Sequence, residues 1–166
     1  MEGYAIEWNC NKNWQIAAGS YDGNVSVWDC CRKEEKNQVT PLINFNFHKC
    51  EVEDVSYNKF HDCVLASCDD DGWTVFWDTR ACSKAPVHKM RAHTNLQYGV
   101  QFSPDDQFNF GTCGSDSYVK VWDFRNCGKP LFMVQEPSQG EVTQIQWSRE
   151  TPTTFWSVSK NTAILW

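Results

Sequence analysis

Four segments of the 166-residue chain end in the same way, and this self-similarity limits the fold more than any other feature. The segments are GSYDGNVSVWD at 19–29, CDDDGWTVFWD at 68–78, CGSDSYVKVWD at 113–123 and SVSKNTAILW at 157–166. Their final tryptophans recur at roughly 45 residues, which is the period of a four-stranded propeller blade. The sequence therefore predicts a series of blades rather than one continuous sheet.

Each unit also contains an earlier strand that alternates in polarity and ends in an aromatic residue. These strands are YAIEW at 4–8, VEDVSY at 52–57, QYGVQF at 97–102 and VTQIQW at 142–147. Alternation with period two indicates half-buried strands. A second apolar run, the strand that ends in Trp and a fourth run such as KPLFMV at 129–134 follow this strand. We label these four strands a, b, c and d in chain order.

The predicted fold class is an all-β WD-repeat β-propeller that contributes four repeats of a seven-bladed ring. The chain is expected to form a single partial propeller domain over 1–166, with repeats at about 1–47, 48–91, 92–135 and 136–166, the last without strand d. Rings of this kind protect their sheet edges by closing. We therefore expect a fragment or truncated product of a longer propeller; the alternative is that other chains complete the ring.

Composition narrows the classes of function. The formal net charge of −6 and the lack of a Lys/Arg stripe argue against nucleic acid as a direct ligand. No apolar run is long enough to cross a membrane, and the amino terminus does not resemble a signal peptide. Nine cysteines, an odd number without a secretory signal, indicate reduced thiols. His61, Cys63 and Cys68 lie close in sequence but form no CxxC pair, so neither a metal nor a cofactor is expected.

Two repeats contain residue types that can form a buried polar network. The predicted sets are His48, Ser67, Asp71 and Trp77 in the second repeat and His93, Thr112, Asp116 and Trp122 in the third. Such networks fix strand register when every member is hydrogen-bonded. The first repeat has Ala18 in place of the hydroxyl, and the fourth has Lys160 in place of Asp and Ser138 near the expected His.

A Ser, a His and an Asp in one repeat also suggest a hydrolase that uses His48 or His93 as its base. The structural interpretation is favoured because the same set recurs at the same blade positions in two repeats, whereas one active site needs no duplicate. We therefore expect no enzymatic activity.

A ligand is expected at one rim of the central channel, where the loops that precede strand a converge. Six and four residues before the strand-a aromatic, the four repeats carry mainly acidic and aromatic side chains. The predicted peptide-binding residues are Glu2, Tyr4, Glu51, Glu53, Tyr98 and Glu141. Carboxylates beside aromatic rings suit Lys and Arg side chains. The alternative is that these residues are only solvated strand ends.

At these positions the sequence resembles the retinoblastoma-associated histone-binding WD proteins of the MSI type. The resemblance rests on EGYAIEWN (2–9), VEDVSY (52–57), WDTR (77–80), RAHT (91–94), VKVWDFRN (119–126) and EVTQIQWS (141–148). The resemblance implies a chromatin scaffold in the nucleus, with the cytoplasm as a second location, whose partners are basic histone tails and subunits of chromatin complexes. Leu96 and Tyr98 replace an acid and an amide of the family, and Thr143 replaces an aromatic residue.

Two other binding functions stay open. WDTR and WDFR place Arg80 and Arg125 where WD-type substrate adaptors of cullin ubiquitin ligases present an Arg, although a blade-edge salt bridge explains the same residues. The segment EGYAIEW also resembles acidic WD proteins that act as chaperones for ribosomal proteins.

Overall fold

The computed structural model describes residues 3–32, 39–81, 84–151, 153–160 and 162–166, apart from the side chains of residues 3 and 4. The described residues form fifteen strands in four antiparallel sheets and no helix. The strands are β1 Gly3–Trp8, β2 Gln15–Ser20, β3 Asn24–Asp29, β4 Ile43–Asn46, β5 Val52–Tyr57, β6 Val64–Asp69, β7 Trp73–Asp78, β8 His88–Arg91, β9 Gln97–Phe102, β10 Asn109–Gly114, β11 Tyr118–Asp123, β12 Phe132–Gln135, β13 Val142–Trp147, β14 Phe155–Ser159 and β15 Ala163–Leu165.

Each sheet is a meander in chain order, as the predicted order of strands a to d requires. The first three blades are β1-β2-β3-β4, β5-β6-β7-β8 and β9-β10-β11-β12. The fourth sheet has three strands, β13-β14-β15. The prediction of an all-β WD-repeat β-propeller, partial in this chain, is confirmed.

Tight turns join strands b and c, and their backbone explains the residues found there. Gly72 has φ of +81°, and the carbonyl oxygen of His93 packs against it where a side chain would stand. Glycine adopts this left-handed conformation without steric cost. In the third blade Ser117 takes the same conformation with φ of +70°.

The apolar core lies between the blades, because each sheet buries both faces except at the ends of the arc. One cluster joins the first and second blades around Phe45 and Trp77, whose rings stack with centroids 4.6 Å apart. A second joins the second and third blades around Phe76 and Phe110, and a third surrounds Trp147 in the fourth. Large flat rings fill these gaps, which accounts for the high aromatic content.

Candidate functional site

A β-bulge interrupts strand a of every blade at the end nearest the predicted rim. The register skips one residue between Gly3 and Ala5, Val52 and Asp54, Gln97 and Gly99, and Val142 and Gln144. The residues left without a partner on strand b are Tyr4, Glu53, Tyr98 and Thr143. A bulge redirects a side chain out of the regular alternation and often lies beside a functional site.

These bulged residues coincide with the rim positions predicted four residues before each strand-a aromatic. The two sets agree because the bulge recurs at the same place in all four blades. Tyr4 is described here only by its backbone, and Glu2 lies outside the described residues.

An acidic cluster stands at the second-blade part of the rim. Carboxylate oxygens of Glu51, Glu53 and Asp70 all lie within 4.8 Å of one another. Asp70 belongs to the turn between β6 and β7, and its N–H donates to the carbonyl oxygen of Glu51 at 3.3 Å. The turn therefore adds a carboxylate that counting back along strand a did not find, although the run Asp69–Asp71 signalled acid there.

Crowding of these carboxyl groups changes their ionisation. Partial burial, the neighbouring charge of Asp70 and a hydrogen bond with it raise the pKa of Glu53 to about 7. Burial and the charge of Glu51 raise the pKa of Asp70 as well. Like charges this close disfavour full ionisation in the absence of a cation. The cluster is thus chemically suited to a positively charged group.

The rim continues into the third and fourth blades through one hydrogen bond. The Tyr98 hydroxyl donates to Glu141 Oε2 at 3.3 Å. Burial and the charge of Glu141 raise the pKa of Tyr98, and the charges of Asp70 and Glu53 add to this effect. The structure therefore brings together four of the six predicted residues, Glu51, Glu53, Tyr98 and Glu141, across three blades.

Metal binding has one candidate group within the described part of the chain. Glu51, Glu53 and Asp70 offer the oxygen ligands that hard cations prefer. The trio His61, Cys63 and Cys68 does not come together in this way. His61 is exposed and bonds Gln107, whereas Cys68 is fully buried with its thiol towards the carbonyl oxygen of Gln97.

The polar network of the third blade has the predicted members. Trp122 Nε1–H donates to Thr112 Oγ1 at 3.0 Å, and Thr112 Oγ1 lies 2.9 Å from His93 Nε2. His93 Nδ1 lies 2.7 Å from Asp116 Oδ1, and Lys120 Nζ lies 3.1 Å from the other oxygen of Asp116. Because the Asp116 carboxylate can only accept, His93 donates from Nδ1, and Nε2 of the neutral ring accepts the Thr112 hydroxyl.

Ionisation in this network favours a neutral imidazole beside a carboxylate. Burial lowers the pKa of His93, although Asp116 acts in the opposite direction. Burial alone would raise the pKa of Asp116, but the His93 hydrogen bond and the charges of His93 and Lys120 outweigh it. The pKa of Asp116 falls to about 2.

The second-blade network requires a correction. His48 Nε2 lies 2.7 Å from Ser67 Oγ, which accepts from Trp77 Nε1 at 2.8 Å, as predicted. The carboxylate is that of Asp69, 2.5 Å from His48 Nδ1, and not that of Asp71. Asp69 ends β6 and also accepts the N–H groups of Asp71 and Trp73. It is held within the turn while Asp71 points to solvent.

The fourth blade replaces the histidine network with a carboxylate. Trp166 Nε1–H still donates to Ser157 Oγ at 2.8 Å. Ser138 stands where the second and third blades have His, and its hydroxyl donates to Glu136 Oε2 at 2.5 Å. Glu136 also accepts from Gly140 N–H and the Thr162 hydroxyl, and the Ser138 hydrogen bond is the main cause of its lowered pKa. Sequence comparison missed Glu136 because it lies two residues before the histidine position.

The hydroxyl groups of these networks are poor nucleophiles in this setting. Ser67 and Thr112 are fully buried, and each hydroxyl already serves a tryptophan and a histidine. A substrate has no path to their oxygen atoms. The repeated Ser/Thr–His–Asp sets therefore stabilise blades, as expected for a scaffold.

Arg80 and Arg125 form salt bridges within their own WDTR and WDFR motifs. Arg80 Nε and Nη2 donate to the two carboxylate oxygens of Asp78 at 3.1 and 2.9 Å. Arg125 pairs with Asp123 in the same way, and its guanidinium lies 3.8 Å from the centre of the Phe108 ring. Both arginine side chains remain largely exposed, at 70% and 58%.

The part of the chain that the structure describes has no helix of the length and apolarity needed to cross a membrane. Three segments, 4–29, 39–78 and 84–123, match the family described as WD domain, G-beta repeat. The fold is also similar to a chain in the crystal structure of a mitotic checkpoint complex, with a TM-score of 0.79 and 20% sequence identity. That alignment covers 95% of this chain and 44% of the other, so this chain spans less than half of that length. Since the matched segments make up more than half of the sequence and together contain strands β1 to β11 apart from Gly3, the chain belongs to the WD-repeat family.

Proposed function

We propose that the chain is a non-catalytic scaffold whose acidic rim binds Lys- and Arg-rich peptide segments such as histone tails. The observation that carries the proposal is the recurring bulge in strand a, which sets one rim side chain per blade outside the regular pairing of the sheet. In two of the four blades the neighbouring side chains add carboxylates. WD-repeat propellers in general act as platforms for protein partners.

The geometry of the second-blade cluster supports a cationic side chain as its ligand. Three carboxyl groups within 4.8 Å can surround one ammonium or guanidinium group with charge-assisted hydrogen bonds. Burial and the neighbouring charges of Asp70 and Glu51 raise the pKa of Glu53, and a bound cation would relieve the repulsion between these charges. The Tyr98 ring beside Glu141 adds an aromatic face for a second cation or for the aliphatic stem of a lysine.

Isothermal titration calorimetry with a Lys/Arg-rich histone-tail peptide tests the proposal. The variant Glu51→Gln with Glu53→Gln should bind at least about tenfold more weakly, because a hydrogen bond to a charged group contributes about 1.5–3 kcal/mol. Glu150→Gln is a matched control that removes one exposed carboxylate from a turn between β13 and β14. Equal affinity of the rim variant and the unchanged chain would refute the rim as the binding site.

A chromatin partner also entails a nuclear location, which is part of the same proposal. The supporting features are the acidic rim and the resemblance of segments such as VEDVSY and EVTQIQWS to histone-binding WD proteins. A fluorescent fusion of the full chain, imaged with a chromatin marker, checks it directly.

A further inference from the structure

A cleft between the first and second blades is lined by residues of strands c and d and of the turns beside them, and not by strand a of the rim. Its side chains include Phe47 after β4, Asp71 after β6, Trp73 at the start of β7 and Lys89 in β8. The cleft has a volume of about 320 Å³. Ligand pockets range from about 300 to 1,000 Å³, so this one accommodates a single side chain or a molecule of that size.

The side chain of Lys89 extends into the cleft and lies against two aromatic rings. Its Nζ is 4.6 Å from the centre of the Phe47 ring and 5.7 Å from that of Trp73. Both distances are within the reach of a cation–π interaction, which is about 6 Å. Lys89 forms no salt bridge with any residue that the structure describes. The two rings therefore form a site for a cation, and Lys89 is its present occupant.

Both rings are held in place by the blade core, whereas the lysine is not. Phe47 meets the rings of Trp77 and His48 edge-on, with centroids 6.4 and 6.0 Å apart. Trp73 packs against the same apolar cluster, and its main-chain N–H donates to an oxygen of Asp69 at 2.9 Å. Lys89 is exposed and has a flexible four-carbon stem. A competing cation can therefore replace its ammonium group without moving the rings.

This arrangement is not repeated at the next junction between blades, so it is not a general feature of the repeat. The residues aligned there with Phe47, Trp73 and Lys89 are Ala92, Tyr118 and Met133. One ring remains of the pair, and strand d has no cation at this position. Lys120 approaches the Tyr118 ring from strand c, but its Nζ already donates to a carbonyl oxygen at 2.7 Å and to a carboxylate at 3.1 Å.

The chemistry of the cleft favours a cation that has no N–H groups. Ring faces attract positive charge but accept hydrogen bonds poorly, whereas an ordinary ammonium is strongly hydrated. A trimethylated ammonium has no N–H group to leave unsatisfied, so it loses less when it leaves water for the rings. Asp71 adds an exposed carboxylate that takes no part in the His48 network. Lys49, the other cation of the lining, is exposed like Lys89.

We propose that this cleft binds the side chain of a trimethylated lysine, which displaces Lys89 from Phe47 and Trp73. Asp70 and Asp71 are consecutive residues of one turn, and Asp70 belongs to the rim cluster whereas Asp71 lines the cleft. A peptide bound along the rim therefore passes close to the cleft. That the ligand is part of such a peptide rests on the proposed function of the rim; the preference of the two rings for a methylated ammonium does not.

The test uses a short peptide with capped ends whose only charged residue is a trimethyllysine, titrated into the full chain and followed by nuclear magnetic resonance. It should bind at least about fivefold more tightly than the same peptide with unmodified lysine. Trp73→Ala should abolish this preference. The matched control is Tyr118→Ala, at the aligned position of the third blade, which should keep it. Equal affinity for the two peptides, or a preference that survives Trp73→Ala, would overturn the proposal.

Lys89→Ala provides a measurement that leaves the rings and the core intact, because Lys89 is exposed. Removal of the present occupant should tighten binding of the trimethylated peptide about threefold. A lysine that only stabilises the junction would give no such gain. Unchanged or weaker binding by this variant would therefore contradict the displacement of Lys89 and overturn the proposal.

Two further titrations separate the cleft from other sites and other ligands. The rim variant Glu51→Gln with Glu53→Gln should bind the trimethylated peptide as tightly as the unchanged chain does; a loss there would place the ammonium at the rim and overturn the proposal. Phosphocholine, which joins a trimethylated ammonium to a phosphate, should bind more weakly than the peptide because Asp71 repels the phosphate. Tighter binding of phosphocholine would overturn the assignment to a peptide in favour of a lipid head group.

Discussion

The second and third blades have the same strand order and the same hydroxyl, histidine and tryptophan, yet they differ in where the carboxylate stands. In the third blade Asp116 lies in the turn after β10, whereas in the second Asp69 is the last residue of β6. The third-blade residue aligned with Asp69 is Gly114, which packs against the His93 ring. The histidine therefore requires a carboxylate at one location in space, and two different sequence positions can provide it.

The same pair of blades differs at the rim. The bulged residue is Glu53 in the second blade and Tyr98 in the third. The first joins a cluster of carboxyl groups, and the second donates to a carboxylate of the next blade. The same backbone position therefore carries a carboxyl group in one blade and a hydroxyl donor in the next. The side chains that the rim presents have to be determined separately for each blade.

The largest effect is expected from the second-blade carboxylate. Asp69→Ala leaves the Nδ1–H of His48 and two backbone N–H groups without their acceptor, and should lower the free energy of unfolding by about 3 kcal/mol. Asp71→Ala should change it by less than about 0.5 kcal/mol. Urea unfolding followed by tryptophan fluorescence measures both. Similar losses of stability in the two variants would show that Asp71 belongs to the network after all.

The second largest effect is expected from the hydroxyl group of each network. Ser67→Ala and Thr112→Val each remove the group that connects a tryptophan to a histidine, and should cost about 2 kcal/mol. Ser157→Ala removes the acceptor of Trp166 in a blade without the histidine, and should cost about 1 kcal/mol. A cost at Ser157 as large as at Ser67 would show that the histidine adds nothing.

Lys120 distinguishes the third blade, because the second has Val75 at the aligned position. Lys120→Met removes the donor to Asp116 and to the Ala92 carbonyl oxygen, and should cost about 1–2 kcal/mol. Since the pKa of Asp116 is lowered to about 2, its stabilising contribution is present above about 4 and is lost as the pH falls towards 2. As the pH falls, the Lys120→Met variant should begin to lose stability at a higher pH than the unchanged chain does. Acid titration of the circular dichroism signal detects this difference.

The smallest effect concerns the rim. Because the pKa of Glu53 is raised to about 7, the folded chain binds more protons than the unfolded chain between about 4.5 and 7. Stability should therefore fall as the pH rises through this range, and Glu53→Gln should make the fall shallower. Asp54, whose burial raises its pKa to about 7, has the same sign and should account for part of the remaining slope. Thermal midpoints at pH 5 and pH 8 measure how much stability falls. An equal fall in Glu53→Gln and in the unchanged chain would show that Glu53 does not cause it.

Sequence predicted the blades well because their signals are local and repeated. Alternation, turn residues and the period of the final tryptophans place all fifteen strands in the observed order. It predicted the third-blade network because hydroxyl, Asp and Trp stand at the expected spacings. It failed for Asp69 because three consecutive aspartates, at the end of β6 and in the turn after it, offer three carboxylates, and only the folded backbone selects among them.

The rim was predicted in part for a different reason. Glu51, Glu53, Tyr98 and Glu141 follow from counting back along strand a, but Asp70 comes from another turn and reaches the cluster only through the packing of the blade. The bulges have no residue signature of their own here, since Tyr, Glu, Tyr and Thr occupy them. Glu136 was missed because it replaces the function of a histidine without occupying its position.

The bulge in strand a has a consequence for how such a scaffold can change its ligands. A residue outside the cross-strand register contributes no ladder partner, so its replacement leaves the pairing of neighbours such as Asp54 and Cys68 in place. If the rim binds peptides as proposed, variation at residues 4, 53, 98 and 143 can alter its ligands while the strand pairing of the blade is preserved. Each blade therefore has one position that lies outside the strand pairing on which its fold depends.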